Sequence, residues 1–354
     1  MSDVRVGFVG AGYMAQVAHI PCFQQAAGAK VTALASSRPR LLNQVADRFG
    51  IEKRYASHSE LGADPDIDLA VVVVPPELNV DICAELLEAG KDVICEKPVS
   101  LRATDAERLR DISVRTGKRL LVGFMKRFDL GVRAAKAVVD GWLATGEAGK
   151  LLYARAHSFI GGDWQGNIGA LFSTIKTDEP MSAKPATPMP DWLPEKYAGA
   201  WGPYYFTNHV HSHDMDLLGY FLGRDFRVCD ADWSRDVKRV CLEYGDAVAQ
   251  LETAKCGANT RWDEDLTLYF EGGSVRVKLP PPLLINVPAE VEIYAMGDRQ
   301  EIRLPQVKYS WSFLEQAQNA VDVAAGKAEP ICTIDDGLTQ VRMTEAIFAV
   351  LAGS

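Results

Sequence analysis

Three short stretches of the chain carry residue types that could do chemistry. The first is Gly10-Ala11-Gly12-Tyr13-Met14-Ala15, directly after an apolar run at residues 4–9. A glycine turn that opens a helix presents free backbone N–H groups and the positive end of the helix dipole, which is a seat for phosphate. Gly10 permits the tight turn. Gly12 removes the Cβ that would hold a pyrophosphate away, and Ala15 is small enough for helix and strand to pack. The second stretch is Glu96-Lys97-Pro98, at the end of a later apolar run. A lysine at the carboxyl end of a strand can bind a substrate hydroxyl and move its proton. Desolvation and a neighbouring cationic ring would lower its pKa towards a useful value. Pro98 can fix the turn in cis. The third stretch holds His209, His211 and His213, half of the six histidines in the chain.

These stretches need a frame to position them. Residues 4–9, 30–35, 69–74, 92–95 and 119–123 read as strands. Residues 14–27, 40–49, 80–89 and 103–116 read as helices, with Gly50 and Gly90 as stop signals. Strand and helix alternate with short connections, which predicts a doubly wound parallel sheet with helices on both faces. The pattern changes after residue 124. Helices are expected at 130–144, 310–325 and 338–351. Strands are expected at 151–159, 237–244, 247–253, 266–270, 274–278 and 291–294. The fold class is therefore α/β: a dinucleotide-binding Rossmann domain at 1–124, then an α+β domain at 125–354 with an open-faced, largely antiparallel sheet.

Residues 161–207 lack periodicity but are rich in Trp and Tyr, which argues against disorder. Arg155, His157, Asp163, Trp164, Lys176, Trp192, Trp201 and Tyr204 fall in or beside this segment. Aromatic faces there could stack on sugar C–H surfaces while charged groups take hydroxyls. Equally, the segment could wrap the sheet edge and bury its own tryptophans.

The end of the second strand separates two cofactors. An NAD ribose is normally met by Asp or Glu at this point, and here the chain reads Ala35-Ser36-Ser37-Arg38. Hydroxyls plus an arginine suit a 2′-phosphate. The expectation is thus NAD(P), with NADP ahead of NAD. The candidate cofactor contacts are Gly10, Gly12, Tyr13, Met14, Ala15, Ser36, Ser37, Arg38, Pro75, Asn79, Glu96 and Lys97.

Composition excludes several other classes. The 354-residue chain has a formal net charge of -9 and no Lys/Arg cluster, unlike a nucleic-acid binder. Its seven cysteines are scattered and form no C-x-x-C pair, which argues against a disulfide framework and a zinc ribbon. No apolar run reaches the length of a membrane span, and no secretory signal pattern opens the chain, so no membrane association and a cytoplasmic location are expected.

Taken together, the motifs resemble the Gfo/Idh/MocA family, named after glucose–fructose oxidoreductase and inositol dehydrogenase. The matching stretches are V-G-F-V-G-A-G-Y-M-A at the N-terminus, A-G-K-D-V-I-C-E-K-P at 89–98, V-G-F-M-K-R-F-D at 122–129 and H-D-M-D-L-L-G-Y-F-L-G at 213–223. The resemblance implies an enzyme that transfers a hydride between NAD(P) and a ring carbon of a sugar, sugar derivative or cyclitol. It also implies a homodimer or homotetramer built through the open sheet face. Lys97 looks like the family's catalytic lysine, His213 like its catalytic histidine, Asp216 like the H-x-x-D aspartate, and Arg127 like the arginine after the fifth strand.

Where relatives often carry Asp one turn before the histidine, this chain has His209, which could orient His213 but stabilise its cation less. Asn79 and Met125 also depart from the common pattern. The candidate catalytic residues are Lys97, His213 and His209. The candidate substrate contacts are Lys97, Arg127, Arg155, Asp163, Trp164, Tyr204, His209 and His213. The histidine cluster could ligate a transition metal on either a helix or a strand; since the resemblance accounts for His213 without one, no metal is assigned. His209 and the aromatic segment also admit an alternative, an NAD-dependent glycoside hydrolase of the same fold working by transient oxidation, elimination, hydration and re-reduction.

Overall fold

The computed structural model describes residues 3–161, 173–181, 186–256, 262–297 and 299–353. It divides into two compact units. One holds Met1–Phe124, Phe172–Asp191 and Phe313–Val341. The other holds Met125–Leu171, Trp192–Ser312 and Arg342–Ser354.

The first unit is built on a six-stranded parallel sheet in the order β3-β2-β1-β4-β5-β6. The strands are β1 (Val4–Val9), β2 (Ala29–Ala35), β3 (Lys53–Tyr55), β4 (Leu69–Val72), β5 (Asp92–Cys95) and β6 (Leu120–Val122). β4 and β5 are buried at every position, as expected for strands covered on both faces. The helices between them are α1 (Ile20–Gln25), α2 (Pro39–Phe49), α3 (His58–Ala63), α4 (Pro76–Glu88) and α5 (Ala103–Thr116). The chain order reverses between β1 and β4, the switch point where such sheets bind ligands beyond the carboxyl ends of their strands.

Several boundaries differ from the sequence expectation. α4 begins at Pro76 rather than residue 80, because proline at the first helical position has a preset φ and lacks only an N–H that would be unsatisfied there. The helix expected at 14–27 is in fact a π-helical turn, Ala15–His19, running into α1. β3 and α3 were not expected; each is too short for a periodic signal.

The second unit carries an eight-stranded sheet in the order β14-β13-β12-β11-β7-β10-β9-β8. Its central strand is β7 (Leu151–Gly161), flanked by β10 (Ala247–Cys256) and β11 (Asp263–Phe270). Only the β7–β10 pairing is parallel; the others are antiparallel. The outer strands are β8 (Arg227–Asp232), β9 (Lys238–Tyr244), β12 (Gly273–Lys278), β13 (Glu290–Met296) and β14 (Gln300–Arg303). One face is packed by α6 (Leu130–Thr145) and helix Ser212–Leu222. Trp142 of α6 meets Phe270 edge-to-face at 5.2 Å. Two further helices, Ser312–Ala324 and Ile334–Ala352, close the chain. Among the described residues no helix is long and apolar enough to cross a membrane.

Candidate active site

In the first unit the glycine turn leaves β1 with Gly10 at φ +106°. A Cβ there would fall 2.1 Å from the Val73 carbonyl oxygen, so both the torsion and the next strand demand glycine. Gly12 is different. A Cβ at Gly12 would meet nothing within 4 Å, which leaves open space over the turn for a ligand to approach the backbone. The Tyr13 hydroxyl is buried with no hydrogen-bond partner among the described residues, and so is Asn79 Oδ1. A buried polar atom without a partner is costly and invites a polar ligand. The open cradle and these two atoms fit a dinucleotide.

Lys97 follows β5, half-buried, with a cis peptide to Pro98. Three residues hold this turn. Asn79, fully buried on α4, donates from Nδ2 to the carbonyl oxygens of Glu96 (3.3 Å) and Pro98 (2.8 Å). Glu96 accepts the backbone N–H of Lys97 at 3.0 Å on one oxygen. Its other oxygen meets Nε2 of buried His19 at 2.7 Å. Burial alone would raise the Glu96 pKa. The hydrogen bond and charge of His19, with Lys97 nearby, outweigh it and hold the carboxyl below its usual range. His19 comes from the last residue of the π-helical turn, so the glycine-turn helix and the lysine turn are joined directly.

Past the end of β2, Arg38 is half-buried and its backbone N–H bonds the Ser36 hydroxyl at 3.3 Å. Ser37 is exposed. Residues 173–181 also belong to this unit, and they place Glu179 against the first turn of α2. Its two oxygens accept the N–H groups of Arg40 and Leu41, each at 2.9 Å.

The second unit carries the histidines on continuous helical backbone: Pro203–Phe206, a π-helical turn Thr207–His211, then Ser212–Leu222. Inserted π turns recur at functional sites. The segment is helical, so His209 and His213 fall on one side, both half-buried, while His211 is buried. His209 stacks on Tyr205 (5.7 Å, 20°) and meets Trp201 edge-on at 5.3 Å. Among the described residues no group of three or more His, Cys, Asp or Glu side chains is arranged to hold a metal.

The other predicted contacts separate. Arg127 and Asp216 are both buried, and Arg127 Nε donates to the two Asp216 oxygens at 3.0 and 2.9 Å. This pair ties the turn Met125–Phe128 to helix Ser212–Leu222, so the Arg127 guanidinium points at an internal carboxylate. Tyr204 is fully buried and packs on Phe348 at 5.2 Å; its ring belongs to the core instead of a ligand face. Arg155 pairs with Glu252 at 2.9 Å beside His157. Strand alternation puts Arg155 on the sheet face opposite Ser158, and Ser158 faces Asp214 of the histidine-bearing helix. Arg155 is thus not brought to the histidines. Asp163 and Trp164 lie outside the described residues.

Four further residues, Gln16, His19, Glu179 and Asp214, become visible only through their partners in the structure. Asp214 is buried beside Glu264 and Lys126, and burial together with the Glu264 charge pushes its carboxyl well above the usual range. Its only sequence signal was its place directly after His213.

The sequence model of an oxidoreductase family with an NAD-binding Rossmann fold, GFO_IDH_MocA, matches residues 4–124. An inositol 2-dehydrogenase of Rhizobium meliloti is 34% identical over 358 residues, covering 97% of this chain and 95% of that protein. An uncharacterized oxidoreductase of the same species, ORF334, is 38% identical over 127 residues, and there the match spans only 38% of the relative's length. A levoglucosan dehydrogenase solved with NADH and levoglucosan shares the fold, with a TM-score of 0.76 at 18% identity over 99% of this chain and 98% of that one. The glycine turn, the lysine turn and the end-to-end match to a curated relative lead to one conclusion: this chain belongs to the Gfo/Idh/MocA oxidoreductase family.

Proposed function

We propose that the protein oxidises or reduces a ring carbon of a cyclitol, sugar or sugar derivative with NAD(P). The observation that carries this reading is Lys97 at the end of β5, its turn fixed by Glu96, His19 and Asn79. A lysine held this firmly is suited to proton transfer at a substrate hydroxyl. When bound, the nicotinamide supplies hydride transfer. Gly10, Gly12, Tyr13, Met14 and Ala15 would hold its pyrophosphate, and Pro75, Asn79 and Glu96 would lie on the nicotinamide side. Lys97 takes the hydroxyl proton during oxidation and returns it during reduction. In the second unit His213 is the acid–base candidate that the family resemblance suggests, and His209 lies one helical turn before it, framed by Trp201 and Tyr205. The full-length likeness to an inositol dehydrogenase supports a polyhydroxylated ring as substrate.

The test is direct. Purified protein is denatured and any released nucleotide identified by mass. Absorbance at the reduced-nicotinamide band is then followed against cyclitols, free sugars and aryl glycosides. Reduced cofactor formed from a cyclitol or free sugar supports the proposal. Release of aglycone with retained NAD and no net reduction would replace it with the glycoside hydrolase of the same fold.

The open face of the eight-stranded sheet supports a homo-oligomer. Val248 and Tyr269 are exposed there, and Tyr153 packs against Tyr269 at 5.9 Å. Light scattering of the purified protein reads the subunit number.

A further inference from the structure

Residues 173–181 make a built set of contacts with two helices at the mouth of the dinucleotide cradle. Gln16, buried on the glycine-turn helix, donates to the Ile175 carbonyl at 3.0 Å and accepts the Ile175 N–H at 2.8 Å. The same amide nitrogen donates to the carbonyl of Ala11, inside the glycine turn, at 2.9 Å. Arg48 of α2 donates to the Ser173 carbonyl. Farther along, the Glu179 carboxylate takes the N–H groups of Arg40 and Leu41 and the hydroxyl of Thr177 (3.1 Å). Asp178 pairs with the Arg40 guanidinium at 2.5 Å.

The position of Glu179 matters because of what β2 lacks. The ribose of an adenine dinucleotide is read just past the end of the second strand, normally by an acidic residue. Here that place reads Ser36-Ser37-Arg38, and the carboxylate arrives from a segment about 140 residues away. We propose that Glu179 is the residue that sets cofactor preference, supplying in space the acid missing from β2, so that the protein takes NAD ahead of NADP. The proposal rests on the NAD(P) reading above and reverses the preference that Ser36, Ser37 and Arg38 suggest alone. A ribose 2′-hydroxyl can donate to the carboxylate. A 2′-phosphate, carrying close to two negative charges, would meet an anion already seated on the N–H groups of Arg40 and Leu41. Those N–H groups and the Thr177 hydroxyl outweigh burial and keep the Glu179 carboxyl below its usual range.

The test is calorimetric titration of the full chain with NAD and with NADP at one salt concentration, for wild type and Glu179→Gln. Wild type is expected to bind NAD at least about tenfold more tightly than NADP, and Glu179→Gln to shift that ratio towards NADP by on the order of tenfold. Equal or tighter NADP binding by wild type overturns the proposal without needing any variant. So does a Glu179→Gln protein whose ratio is unchanged, or one that loses both nucleotides equally, which is what a purely structural strap would do. If wild type binds neither nucleotide, the cofactor reading itself fails. Binding of both with a ratio blind to Glu179 sinks only this proposal.

Discussion

Glu96 divides its two oxygens between Nε2 of buried His19 at 2.7 Å and the backbone N–H of Lys97 at 3.0 Å, so the residue before the candidate catalytic lysine is anchored from two directions. Glu96→Ala removes both contacts. It is expected to lower kcat by about 10–100-fold through misplacement of Lys97. Glu96→Gln still offers a carbonyl oxygen to the Lys97 amide and should recover most of that loss. Equal loss in both variants would show that the carboxylate's charge acts in turnover and that its positioning role is secondary.

Lys97→Ala should lower kcat by about 10²–10⁴-fold while nucleotide affinity, read by calorimetry, stays within a few fold. Near-wild-type turnover would remove Lys97 from the mechanism.

The two glycines of the turn should fail in different ways. Gly10→Ala places a Cβ against the Val73 carbonyl at a positive φ, so loss of folded protein or a large drop in melting temperature is expected. Gly12→Ala meets empty space within the protein. It should fold with an unchanged melting temperature and lose nucleotide affinity by about tenfold or more, because its Cβ takes the place of the ligand. Unchanged affinity in Gly12→Ala would contradict the cradle.

Arg127 and Asp216 are buried together, and removing one leaves an uncompensated charge. Asp216→Ala should destabilise the protein by about 3–5 kcal/mol in urea unfolding, and Arg127→Ala by a similar amount. If the pair is structural, the double variant should cost less than the sum of the two. An Arg127→Ala protein of normal stability with a raised KM would return Arg127 to the substrate.

His211 gives the fold a pH dependence. Burial first, then the Lys238 charge, pushes its pKa down to about 4, from an ordinary value of 6.5. The folded protein keeps the ring neutral where the unfolded chain binds a proton. The stabilising contribution is therefore complete above about pH 6.5 and is lost as pH falls towards 4. The urea midpoint of wild type should drop between pH 7 and pH 5, and His211→Met should flatten that portion of the curve. An equal slope in both proteins would assign the dependence elsewhere.

Much of this protein could be read along the chain, for a physical reason. Hydrophobic periodicity, Gly50 as a helix stop, the glycine turn after β1 and the lysine turn after β5 are local signals set by backbone torsion and side-chain pattern. They placed the parallel sheet, the open-faced antiparallel sheet and the family. β3 and α3 gave no such signal because three- and six-residue elements take their stability from neighbours. Side-chain partners are also not local. Tyr204 looked like a ligand contact until the core enclosed it, and Arg127 until Asp216 claimed its guanidinium. The sequence by itself determined the alternating order of the longer elements and the glycine and lysine turns that follow β1 and β5. The tertiary structure alone brought His19 to Glu96 and Glu179 to the first turn of α2, because hydrogen bonds between residues 77 and 139 positions apart exist only once the chain has folded.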